Sequence, residues 1–296
     1  MSDQVPPEFA AWSPAWAEEF NGPSGSPADP RTWRPETGGH GWGNSELQYY
    51  TSETANAALD GAGNLAITVA RPDPQLAAAR YDGCQYTSAR LITKNLKSFR
   101  YGLIQARIKL PGGRGIWPAF WMLGTDIDTA GWPACGEIDV MENFGTNPAA
   151  VHGTVHGPGY SGAGGISASL DTGAPLATSF HVYSACWEPG RIRWYADQRL
   201  YHAVTPADLH GSPWVFDHDF YLLINVAVGG RFSQHPGRST AFPQTTLIDY
   251  IRVYTADQEP AQVLAFRLRA PAHDDLVEAA SPRLPGGGLA VADVVR

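Results

Sequence analysis

Short runs with the two-residue period of β-strands recur along the chain, separated by Gly- and Pro-bearing turns. They include LAITVA (65–70), SARLIT (88–93), YGLIQARIKL (101–110), GEIDVMENF (136–144), FHVYSACWE (180–188), RIRWYAD (191–197), YLLINVAVG (221–229) and LIDYIRVYT (247–255). In the third run Ile104, Ala106, Ile108 and Leu110 alternate with Gln105, Arg107 and Lys109, which predicts one core face and one solvated face. Helical periodicity is confined to short patches such as QLAAAR (75–80). Many strands without amphipathic helices between them predict an all-β sandwich or jelly roll. The strand pattern stops near Tyr254, and residues 257–296, rich in Ala, Pro, Asp, Arg and Gly, read as a tail or peripheral appendage.

Composition narrows the choice of function. Among 296 residues, 32 are Gly and 24 Pro while only 17% are charged, which reinforces strands and turns over helices. A formal charge of −8 argues against a nucleic-acid partner, which needs clustered Lys and Arg. No apolar run reaches the roughly 18 residues of a membrane span, so no membrane partner is expected. The opening MSDQVPPEFAAWSP has neither the basic start nor the apolar stretch of a secretory signal. Cys84, Cys135 and Cys186 show no metal-binding spacing; three unpaired thiols are favoured over one bridge plus one free thiol.

The chemistry concentrates in GWPACGEIDVMENFG (131–145), where Glu137, Asp139 and Glu142 interrupt apolar strand sequence. Isolated buried carboxylates are too costly, so these acids must face polar company. Glu137 and Asp139 share strand parity, whereas Glu142 is out of phase. A β-bulge at Val140–Met141 would rotate it back to their face. Glu137 and Glu142 would then lie roughly 13 Å apart at Cα. Side chains leaning together would bring the carboxyls to about 5 Å, the separation of a retaining glycosidase; inverting enzymes need about 6.5–9.5 Å. Spacing yields the pair but not which glutamate attacks and which protonates.

GEIDVMEN, preceded by GIWPAFWMLG and followed by VHGTVHGPGYSG, resembles family 16 of the glycoside hydrolases, specifically the bacterial laminarinase-like endo-β-1,3-glucanases. Further matches run from EEFNG (18–22) through ELQYYTS (46–52) to LINVAVGG and LIDYIRVYT, covering about residues 16–255. The resemblance implies a concanavalin-like β-jelly-roll sandwich with a concave substrate cleft, filling residues 16–256 after an N-terminal extension at 1–15. It also implies that Glu137 is the nucleophile, Glu142 the general acid/base and Asp139 the residue that orients Glu137. No cofactor is expected for catalysis.

Sugars offer apolar C–H faces ringed by hydroxyls, so a glycan cleft needs aromatic platforms and planar hydrogen-bonding groups. Trp117, Trp121 and Trp132 precede the acids, and the first two share a strand face. By resemblance, Arg90 and Asn225 approach the sugar at the cleavage point, and Asn44 one further toward the non-reducing end. Glu46 reads equally as a sugar contact or a buried structural partner. The pair His152 and His156 lacks the companions of a zinc site; resemblance assigns His156 to substrate or Glu142 and leaves His152 structural. GYSGAGG (159–165) lacks a phosphate-loop pattern and is expected to wall the cleft. A structural calcium is implied at Glu19, a backbone carbonyl near Gly63, and Asp249, although Glu18 stands where relatives often have Asp. Relatives commonly read GGNW where this chain reads GGRFSQHPG, so Arg231 and Phe232 change the subsite.

The sequence therefore predicts a retaining endo-β-1,3-glucanase, a monomer whose partner is β-1,3-glucan. Alternatives are a hydrolase or transglycosylase of β-1,3-1,4-glucan or galactan, or a non-catalytic glucan-binding protein. A polysaccharide substrate implies an extracellular or cell-envelope location, despite the missing signal.

Overall fold

The computed structural model describes residues 5–256. The expected tail at 257–296 lies outside them. Two antiparallel sheets stack face to face. The cleft sheet runs, in spatial order, Ile166–Asp171, Ala150–His156, Glu137–Glu142, Ile116–Gly124, Phe220–Val228, Arg90–Ile92 and Arg34–Glu36. The outer sheet runs Arg199–Val204, Arg191–Ala196, His181–Glu188, Gly102–Lys109, Gln244–Thr255, Leu65–Val69 and Ala57–Leu59, with Ser13–Glu18 also paired to Gln244–Thr255. A short parallel pair, Gln48–Tyr50 with Tyr86–Ser88, lies apart from both.

The two faces of the cleft sheet explain its sequence. Along Phe220–Val228, Phe220, Leu222, Ile224, Val226 and Val228 enter the main core between the sheets. Tyr221 and Leu223 join a second apolar cluster on the opposite face, and Asn225 and Ala227 line the cleft there. Burial on both faces removes the alternation that marks a half-solvated strand. The same holds for IWPAFWMLG, buried throughout Ile116–Gly124. One predicted helix is present as Pro74–Arg80, begun by Pro74 and capped by Asp73, whose Oδ1 accepts the Gln75 N–H at 2.8 Å.

Two expectations need correction. Gln105 is fully buried rather than solvated: its amide donates to Ser184 Oγ, and its carbonyl oxygen accepts from Tyr250 Oη. Ile104, Ala106 and Ile108 occupy the core as predicted. The supposed extension at 1–15 is part of the packed domain from residue 5 onward. Phe9 sits in an apolar cluster with Leu103, Cys186, Tyr195 and Tyr254, and Ser13–Glu18 is a sheet strand. Burying Leu103 and Tyr254 on the outer face requires a cover, and the N-terminal segment supplies it.

All three cysteines are free, Cys135 and Cys186 buried and Cys84 half-buried. Burial pushes the thiols of Cys135 and Cys186 up to about 12, leaving them protonated and inert. Among the described residues, no helix is long and apolar enough to cross a membrane.

Candidate active site

Glu137–Glu142 lies between Ile116–Gly124 and Ala150–His156. Asp139 faces Trp121, but Met141 already faces Phe120 and Glu142 faces Ala119, so Val140 is the extra residue. On the other side the register slips between Asp139↔Thr154 and Glu142↔His152. This is the predicted bulge. It sends Ile138, Val140 and Met141 into the core and returns Glu142 to the cleft beside Glu137 and Asp139.

A residue from the opposite sheet fastens that bulge. Trp194, fully buried, donates its indole N–H to the Asp139 backbone carbonyl at 2.7 Å. Gly153 makes room for it, since a Cβ there would lie 2.4 Å from Trp194 Cδ1 and 2.8 Å from Tyr201 Oη.

Each acid has its own partner. Trp132 Nε1 donates to Glu137 Oε2 at 2.6 Å, and Trp117 Nε1 donates to Glu142 Oε1 at 2.9 Å. His156 Nε2 lies 3.3 Å from Asp139 Oδ2. Glu137 and Asp139 are each only 3% exposed, and one donor atom each from Glu137, Asp139 and His156 falls within 4.8 Å of the others. Burial, then the charges of Asp139 and Glu137, push Glu142 up to about 8 despite the opposing pull of His156. Burial pulls His156 down, but the surrounding carboxylates outweigh it and raise the imidazole to about 9. Both shifts favour the protonated forms, a neutral Glu142 carboxyl and a charged His156 imidazole.

The other half of the cleft is a polar relay. Arg90 is sandwiched between the rings of Trp42 and Trp121, at 4.8 and 4.7 Å from their centroids, while its Nε donates to Glu36 at 2.6 Å. Trp121 Nε1 donates to Asn225 Oδ1, and Asn225 Nδ2 donates to Tyr50 Oη. Glu46 accepts from Asn44, Gln48 and Tyr50, so it is both a structural partner and a cleft residue. The whole bounds an open cleft of about 180 Å³.

Asn44, Arg90, Trp117, Trp121, His156 and Asn225 are thus brought together with the three acids. Trp132 meets them through its indole N–H on Glu137. His156 pairs with Asp139 at 3.3 Å. The 162–165 turn walls the cleft as expected. Sequence reasoning left out Trp42 and Phe144 and made His152 purely structural, yet all three line the cleft. His152 faces Glu142 across the strands, 5.0 Å from the Phe144 ring, and burial lowers its pKa. The available signal for Trp42 was a Trp among glycines in GHGWGN, outside any strand pattern.

The carboxylates expected to hold calcium carry arginine partners. Arg252 grips both oxygens of Glu19, at 2.7 and 2.9 Å, and Arg107 pairs with Asp249. Guanidinium groups already neutralise both carboxylates, so this arrangement does not fit a divalent ion.

The model of "Glycosyl hydrolases family 16" matches residues 44–251. A Rhodothermus marinus protein named "Beta-glucanase" is 44% identical over 263 residues, 86% of this chain and 87% of its own. A "Glucan endo-1,3-beta-glucosidase" of Cryptopygus antarcticus is 33% identical over 83% of this chain and 93% of its own. The laminarinase catalytic domain of Thermotoga maritima MSB8 is 43% identical, with a TM-score of 0.75 over 82% of this chain and 98% of the other. The matched span takes in the bulged acid strand and the strands on both sides of it, and the chain belongs to family 16 of the glycosyl hydrolases.

Proposed function

We propose that this chain is an endo-acting β-1,3-glucanase that hydrolyses laminarin-type glucan with retention of configuration. The observation that carries the reading is geometric: the bulge sets Glu137 and Glu142 on one face of one strand, each accepting an indole N–H, and burial beside Asp139 and Glu137 pushes the Glu142 carboxyl up to about 8. The names of the relatives, a beta-glucanase, a glucan endo-1,3-beta-glucosidase and a laminarinase, support the polymer.

Glu142 gives its proton to the glycosidic oxygen as that bond breaks, and Glu137 attacks C1 to form a glycosyl-enzyme. Glu142, now a carboxylate, takes a proton from water, which displaces Glu137 from C1. Asp139, paired with imidazolium His156, keeps a counter-charged neighbour beside Glu137. Arg90, Asn225 and Asn44 present hydrogen-bonding groups to sugar hydroxyls, while Trp117 and Trp121 offer apolar surface. These steps need no cofactor.

Laminarin digestion followed by NMR of the first-formed reducing ends tests the reading. The expected result is short oligosaccharides bearing the β-anomer, absent with Glu137→Ala. An α-anomer first would overturn retention, and binding without turnover would favour a glucan-binding module. The polymer substrate also leads us to place the protein outside the cell or in its envelope. Fractionating cells that express the full gene checks this, and activity confined to cytosol would overturn it.

A further inference from the structure

The cleft has one strongly basic rim that a neutral glucan does not require. Arg114, Arg231, His235 and Arg238 are all exposed, and no ion pair joins any of them to an acid among the described residues. Several arginines elsewhere are paired: Arg90 with Glu36, Arg100 with Asp219, Arg107 with Asp249 and Arg252 with Glu19. The two segments that form the rim contain no acids at all. Neither residues 83–125 nor residues 220–248 include an Asp or Glu, in a chain of net charge −8.

These segments are packed into one unit. Gly229 N–H donates to the Gly115 carbonyl at 2.8 Å, and Thr240 Oγ1 donates to the Arg114 carbonyl at 2.9 Å. A Cβ on Gly115 would strike the Pro236 backbone at 2.3 Å, and one on Gly237 would meet Arg114 Cδ at 3.8 Å. The same segment reaches into the cleft. Arg231 N–H donates to the Asn44 carbonyl, and Phe232, 37% exposed, packs 5.5 Å from Trp117. The unpaired arginines therefore belong to a unit that borders the sugar-binding surface.

We propose that this rim, Arg114, Arg231 and Arg238 with His235 beside them, binds anionic substituents on the glucan, carboxylate or sulfate groups, and so selects charged β-1,3-glucans over neutral ones. The proposal rests on the glucanase reading of the cleft. Guanidinium groups match both oxyanions in a bidentate geometry. Clustered charge of one sign beside a cleft also raises local substrate concentration and encounter rate, by roughly tenfold or more at low salt. Because the side chains are exposed, salt screens the effect over a Debye length of about 8 Å at physiological ionic strength.

The test compares kcat/KM on laminarin, lightly carboxymethylated laminarin and lightly sulfated laminarin, at low and high NaCl. The natural chain is set against Arg114→Gln/Arg231→Gln/Arg238→Gln and against Arg238→Gln alone, with near-UV circular dichroism to verify folding. The expected result is a roughly tenfold low-salt preference for both anionic polymers, lost in the triple variant and at high salt, while Arg238→Gln alone weakens that preference and leaves activity on neutral laminarin within about twofold. Affinity electrophoresis in gels containing each polymer reads the same preference without turnover. Equal retardation of natural and triple-variant chains by the anionic polymers would overturn the rim. So would a triple variant that loses neutral and anionic activity in the same proportion. Failure of the natural chain to cut any of the three, with retardation still salt-sensitive and arginine-dependent, would instead sink the glucanase reading and leave the rim standing.

Discussion

The three acids of the bulged strand and the carboxylates of the outer sheet live by opposite rules. On the outer sheet, Glu19, Asp249 and Glu188 each meet arginine: Arg252, Arg107, and the pair Arg191 and Arg193. Burial alone would raise Glu188, but hydrogen bonds from both arginines outweigh it and hold its pKa down. In the cleft, three acids share one imidazole and two indole donors, and Glu142 is driven up to about 8. An arginine fixes a carboxylate in one charge state; neutral donors and like charges leave it able to exchange a proton. Partner type, rather than the number of acids, separates the structural region from the chemical one.

The cleft side of this comparison breaks most severely at the nucleophile. Glu137→Ala should lower kcat on laminarin by roughly 10⁴-fold or more, since residues that act as one unit lose most of their effect together. Next comes the proton donor. Glu142→Gln should cost about 10²–10⁴-fold on polysaccharide. It should also remove the alkaline limb of the pH profile. In the natural chain that limb should fall as pH rises through about 8, because the acid must be protonated to assist the leaving group. An unchanged alkaline limb in Glu142→Gln would assign the acid elsewhere.

Trp194 offers a milder intervention from the far side of the sandwich. Trp194→Phe keeps an aromatic ring in the core but deletes the N–H that holds the Asp139 carbonyl. A loosened bulge should misalign Glu142, lowering kcat about tenfold with KM little changed. The alkaline limb should shift with it, a readout that core packing alone does not move. A variant with normal kcat and the natural pH profile would show that the bulge holds itself.

The acid strand was legible because Glu142 is out of phase with Glu137 and Asp139 in an apolar run, and the structure shows the bulge that this implied. Val140 and Met141 are adjacent yet both core-facing, which a regular strand forbids, and that brings Glu142 onto the face of Glu137. Strands buried on one face were equally plain, as Leu65–Val69 shows by placing Leu65, Ile67 and Val69 inward. What the sequence hid are contacts made across the sandwich or between distant segments. RIRWYAD predicts a strand, but nothing in it says that Trp194 reaches 55 positions back to the acid strand. Glu19 and Arg252 are 233 positions apart, so a carboxylate that matches a calcium ligand could not be seen as an arginine's partner. Arg90 was found, whereas its upper plate, Trp42, belongs to a glycine-rich loop without periodicity.

The smallest expected effect on activity sharpens the comparison through stability. Glu188→Gln should leave kcat on laminarin within about twofold and lower stability by no more than about 1 kcal/mol, as for a partly exposed pair. Its pKa is depressed in the folded protein, so its contribution is present above the unfolded carboxylate value and is lost as pH falls through the folded one. Glu142 has the opposite sign. Its folded pKa is raised from 4.5 to about 8, so folding is most favoured below the unfolded value and is progressively opposed as pH rises toward 8. Tm measured from pH 3 to pH 9 separates the two. Glu188→Gln should flatten the acid side, whereas Glu142→Gln should melt higher than the natural chain at pH 8 while hydrolysing far less. If both variants flattened the same side, the two sheets would not treat their carboxylates differently. If only Glu142→Gln gained stability, proton transfer in this cleft is maintained by an acid that the fold would hold more comfortably as an amide.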